Sequence, residues 1–154
     1  MTDPTILERI QADLAVAMKA RDVDTLSTLR MLKAALMEAK TKKSKDAVLG
    51  ADEEIEVLQG YAKKRRQVIE EWKKAGRADL VAREEAEISV TQRYLPKGMS
   101  EDELRALVRE AVAKTGAAGP KDMGKVIGAV MAQVKGRAEG GTVSRLVKEA
   151  LPQG

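Results

Sequence analysis

The spacing of apolar residues is what most restricts this chain. Across residues 122–151 they fall at Met123, Val126, Ile127, Val130, Met131 and Val134, the i, i+3, i+4, i+7 pattern of one buried helix face. Lys135-Gly136-Arg137 interrupts the pattern. Gly136 suits the left-handed residue that follows a helix, and the basic flanks suit the negative end of the dipole. Thr142 is the predicted cap of a second helix carrying Val143, Leu146, Val147, Ala150 and Leu151. The two form a hairpin that holds Lys135 and Arg137 at an exposed corner. Gly124 and Gly128 lie four apart, so one side of the first helix is open to close approach by another backbone.

The same spacing runs through the rest of the chain, with no strand-like alternation. Asp3-Pro4 predicts the start of a first helix, ending near Ala20. Asp22 and Asp24 form a turn into a second, with Leu26, Leu29, Leu32 and Leu36 on its stripe. Asp52-Glu53-Glu54 opens a third, faced by Ile55, Leu58, Ala62, Ile69 and Trp72 and stopped at Gly76. A fourth runs from Asp79 to the Pro96-Lys97-Gly98 break. Ser100-Glu101-Asp102-Glu103 is a capping box for the fifth. The expectation is an all-α protein of seven helices: an N-terminal four-helix domain over residues 1–96 and a C-terminal three-helix domain over residues 97–154.

Composition removes several chemistries. The chain has no Cys and no His, so Cys nucleophiles, His bases, disulfides and the usual zinc sites are excluded. It has no Phe, two Tyr and one Trp, too few aromatics for a platform that stacks single-stranded bases. Tyr61, Tyr94 and Trp72 are expected to pack rather than bind. No run approaches the ~18 apolar residues of a membrane span, and the first residues are polar. The expectation is a cytoplasmic protein without membrane contact, metal or cofactor.

Glu84 and Glu87 lie three apart near the apolar side of the fourth helix, where two carboxylates can meet. Such a pair can do acid–base work or pair with a cation. The structural alternative is favoured, with Arg30 as the expected partner. Gly119-Pro120-Lys121-Asp122-Met123-Gly124-Lys125 has the glycine spacing of a phosphate loop. Residue 126 is Val rather than Ser or Thr, and no strand precedes it, so a nucleotide site is rejected.

Net charge is +4, a mild bias toward anionic partners. Three basic clusters carry it. Lys40, Lys42, Lys43 and Lys45 form one, and Lys63, Lys64, Arg65 and Arg66 another; both are expected to be solvated helix faces. The third contains Lys121, Lys125, Lys135, Arg137, Arg145 and Lys148 among glycine turns. There backbone and cations can approach phosphate closely.

The run Gly128-Ala129-Val130-Met131, then Lys135-Gly136-Arg137-Ala138, then residues 143–151, resembles the tail domain of the B subunit of glutamyl/aspartyl-tRNA amidotransferase. Leu29-Arg30-Met31-Leu32, Gly76-Arg77-Ala78-Asp79-Leu80, Tyr94-Leu95-Pro96 and Asp122-Met123-Gly124-Lys125-Val126 extend the likeness over nearly the whole chain, which is similar to stand-alone members of the GatB/YqeY family. Where the amidotransferase tail often has Asn-Pro, this chain has Glu139-Gly140-Gly141, a looser and less basic loop. The resemblance implies a helical fold and contact with tRNA, with Lys125, Lys135, Gly136, Arg137 and Arg145 as the RNA-binding candidates. An aminoacyl-tRNA synthetase or an amidotransferase is the implied protein partner. A family label of carbon–nitrogen ligase with glutamine as amido donor would come from the larger enzyme. The residues here supply no catalytic set. The expected function is a non-catalytic tRNA-binding accessory module; the alternative is a helical adaptor for the aminoacylation machinery.

Overall fold

The computed structural model describes residues 3–44 and 46–152. The chain is all-α. Its helices are α1 (Ile6–Ala20), α2 (Val23–Lys43), α3 (Ala51–Lys74), α4 (Ala78–Gln92), α5 (Glu101–Thr115), α6 (Met123–Val134) and α7 (Gly140–Ala150), with a 3-10 turn at Pro120–Asp122. The chain divides into two compact units, Met1–Leu95 and Pro96–Gly154.

In the first unit α1 packs on α2, and α3 on α4. Ile10, Leu29, Leu32, Leu36 and Leu58 are fully enclosed, with Ile6, Ala17, Val90 and Tyr94 around them. Gly76, at φ +69°, makes the reversal between α3 and α4, a conformation that costs glycine little. Helix α1 begins two residues later than Asp3-Pro4 suggests. Thr5 is the cap, its Oγ1 accepting from the Glu8 amide at 3.1 Å. Asp22 caps α2 by accepting from the Thr25 amide at 3.2 Å. Helix α4 ends at Gln92, short of the proline break. Arg93, Tyr94 and Leu95 each donate to the carbonyl three residues back, and the residue before Pro96 is disfavoured in the α region.

The first turn of α1 is completed by a distant side chain. Glu54, on α3 and only 3% exposed, accepts from the Ile6 amide at 3.1 Å and the Leu7 amide at 2.9 Å. Thr5 takes the Glu8 amide and the Thr5 carbonyl takes that of Arg9. The three first-turn amides with no carbonyl four residues back inside the helix, those of Ile6, Leu7 and Glu8, are therefore all satisfied.

In the second unit α5, α6 and α7 close on Leu104, Val108, Val126, Val130, Val134, Val143, Leu146 and Val147. The capping box forms: the Glu103 amide donates to Ser100 Oγ at 3.2 Å, and the Ser100 amide to Glu103 Oε2 at 3.0 Å. Thr142 does not cap α7. Glu139 takes that place in extended backbone, and its carbonyl accepts from the Val143 amide at 3.1 Å. Gly140 and Gly141 are the first residues of the helix rather than a loose loop.

Candidate functional site

The turn after α6 enters the left-handed region at Lys135 (φ +44°) and continues there at Gly136 (φ +83°). The expected left-handed glycine is present, but a lysine precedes it in the same region, where non-glycine residues are uncommon. The turn is fastened to the segment ahead of α5. The Met99 amide donates to the Arg137 carbonyl at 3.0 Å, and Arg137 Nε donates to the Lys97 carbonyl at 2.9 Å. Gly98 lies against the same carbonyl, which a Cβ there would meet at 3.7 Å. Lys97, Lys135 and Arg137 thus share one corner, all three exposed. None has a carboxylate partner among the described residues.

Two acids at the start of α5 are occupied. Glu101 and Asp102 pair with Arg105 at 3.1 and 3.6 Å. Glu101 also binds Arg145. Arg145 is held on its other side by Glu149 at 3.1 Å, and these acids, Glu101 foremost, hold its proton more tightly than usual. Lys125 lies in the first turn of α6, about 15 Å along the helix from the Lys135 turn. Its ammonium donates to the Thr115 carbonyl at 3.4 Å. Lys135, Gly136 and Arg137 therefore share the corner, while Lys125 lies at the other end of α6 and Arg145 is held between Glu101 and Glu149. Lys97, read in the sequence only as part of a helix break, joins them through contacts 40 residues apart.

The other candidates separate as well. Arg30 is exposed and forms no ion pair with Glu84 or Glu87. Their partner is Arg65, one residue of the second basic cluster, at 3.5 and 3.9 Å. Arg30 is turned to solvent by the helical period: Leu29, Leu32 and Leu36 face the core. In the first cluster Lys42 pairs with Glu38 and Lys43 with Glu53; Lys45 lies outside the described residues. The segment resembling a phosphate loop is a 3-10 turn leading into α6, with Asp122 accepting from the Ala118 amide at 3.0 Å. Tyr94 is a core residue whose hydroxyl donates to Asp13 and whose ring lies beneath Arg9. Burial, then Asp13, pushes its phenol well above the usual range. Trp72 is only half-buried on α3.

Two apolar features remain uncovered within the units. The first unit exposes Val16, Met18, Val23, Met31, Met37 and Val48. In the second, Gly124 and Gly128 have open space beside them, so no backbone among the described residues uses the approach they permit. No helix among the described residues is long and apolar enough to cross a membrane.

These features define an all-helical protein of two units with an unneutralised basic corner on the second. The chain belongs to the YqeY-like family: residues 7–151 match the family described as Yqey-like protein. It is 34% identical over 153 residues to a Pyrenophora tritici-repentis protein named altered inheritance of mitochondria protein 41, mitochondrial, covering 95% of this chain and 81% of the relative. It is 35% identical over 97 residues to an uncharacterized Schizosaccharomyces pombe protein, covering 63% of this chain and 77% of the relative.

Proposed function

We propose that this chain is a non-catalytic accessory module that binds structured tRNA through the corner formed by Lys97, Lys135 and Arg137. The observation that carries the proposal is the convergence of three cations without carboxylate partners on a fastened, glycine-containing turn. Such a turn presents charge at a fixed place, and folded RNA is bound largely through shape and phosphate contacts. The resemblance of the second unit to the amidotransferase tail supports tRNA as the RNA. Arg145 is less suited to phosphate because two carboxylates already hold it.

Replacing Lys135 and Arg137 together by Ala is the test. The double variant is expected to bind tRNA roughly tenfold more weakly at low salt, with the slope of log affinity against log salt shallower by about 1.4–1.8. Arg145→Ala serves as the comparison and is expected to change affinity much less. Unchanged binding in the double variant would remove this corner from the account.

A second reading has an observation of its own. The exposed methionines and valines of the first unit suit an adaptor that docks a protein of the aminoacylation machinery. Association of that kind is driven by apolar burial and is nearly insensitive to salt.

A further inference from the structure

The buried stripe of α3 runs through Glu54, Leu58, Ala62 and Ile69, and Arg65 falls on it at the same spacing. There it meets α4. Its Nη1 lies 3.5 Å from Glu84 Oε2 and 3.9 Å from Glu87 Oε2. Its guanidinium stands 5.2 Å from the centre of the Tyr61 ring, and the Tyr61 hydroxyl donates to Glu87 Oε2 at 3.5 Å. The Arg65, Glu84 and Glu87 side chains are only 26%, 16% and 27% exposed. With both acids ionised, two carboxylates would share one guanidinium in a poorly hydrated place, leaving a net negative charge that burial disfavours. The cluster also holds two buried atoms without a hydrogen bond, the donor Arg65 Nε and the acceptor Glu84 Oε2. Glu84 Oε2 is shut off from water and accepts no hydrogen bond, because Arg65 is within ion-pair range but not in hydrogen-bonding geometry. Glu87 is one turn away, within reach of it.

We propose that Glu84 and Glu87 hold one proton between them in the folded protein, and that its release to water as pH rises loosens the packing of α4 on α3. The shared proton supplies the donor that Glu84 Oε2 lacks and leaves one carboxylate for one guanidinium. From α3 the pair faces Arg65 and Tyr61. Helix α2, which packs on both helices, buries Thr28, Leu29, Leu32 and Leu36 and keeps Arg30 in solvent. Burial first, then the Glu84 charge, raises Glu87 above the ordinary carboxylate range. Burial and the Glu87 charge push the Tyr61 phenol up to about 12. The folded state therefore holds more protons than the unfolded chain above about pH 4.3, the ordinary glutamate value. Stability falls as pH rises from there through the raised Glu87 value, and levels off beyond it.

Trp72 is the single tryptophan and lies on α3, so its fluorescence follows this unit. Melting of the full chain is recorded against pH for the wild type and Glu87→Gln. The wild-type midpoint is expected to fall by several degrees relative to Glu87→Gln as pH rises through that interval, with the variant the more stable at neutral pH. Parallel profiles would overturn the proposal. Carboxyl carbon shifts of Glu84 and Glu87 in the wild type test it without any substitution. A coupled titration displaced above the ordinary range supports a shared proton; independent titrations of both near about 4.3 would overturn it.

Discussion

Glu54→Ala is expected to lower the stability of the first unit by about 2–4 kcal/mol. The Glu54 carboxylate is buried and holds the Ile6 and Leu7 amides. Removing it strands two backbone donors, each costing about 1–3 kcal/mol when buried, and takes a negative charge from the positive end of α1. Urea unfolding followed by Trp72 fluorescence measures the loss. Two further substitutions separate the causes. Glu54→Leu restores apolar volume without an acceptor and is expected to recover little. Glu54→Gln keeps one acceptor oxygen and is expected to lie between, near about 1–2 kcal/mol. A loss below about 0.5 kcal/mol in Glu54→Ala, or full recovery by leucine, would show that Glu54 merely fills space.

Leu146→Ala is the second large effect. Leu146 is 2% exposed on α7 and lies in the core built by α5, α6 and α7. Truncating such a leucine costs about 2–5 kcal/mol, part from lost burial and part from the cavity left behind. A unit of roughly 60 residues has little to spare, and its core supplies only about 3–5 kcal/mol of net stability. The variant is therefore expected to populate an opened second unit. Amide exchange in α6 and α7 reports this directly. Protection there should fall by a factor of at least about 30, the equivalent of 2 kcal/mol. The Lys135 turn should lose its fastening to Met99 and Lys97 at the same time, weakening tRNA binding. Unchanged protection in α6 would contradict this account of the core.

Where the sequence spoke through period, it was legible. The stripes Val126, Val130, Val134 and Leu29, Leu32, Leu36 are buried where their spacing put them, and the Ser100 capping box forms because its groups are three residues apart. Caps were harder. Asp3, Thr5, Asp22 and Thr142 all have side chains able to cap a helix, yet only Thr5 and Asp22 do so, and α7 begins after Glu139, whose side chain makes no cap hydrogen bond. Glu54 and Arg65 also carry a signal in the sequence. Each lies on the stripe marked by Leu58, Ala62 and Ile69, and a charge on a buried stripe must find a partner on another helix. Glu54 finds the start of α1, and Arg65, rather than the expected Arg30, finds Glu84 and Glu87. The basic corner needed tertiary contacts across 40 residues, as did the capture of Arg145 by Glu101 across 44. Local spacing cannot tell a neutralised arginine from an open one.

The Lys97, Lys135 and Arg137 corner is proposed to bind tRNA through phosphate. The most direct test is the affinity of the full chain for tRNA as a function of salt. Three phosphate contacts predict a slope of log affinity against log salt of about −2.1 to −2.7. A slope near zero, or no binding at low salt, would contradict the claim.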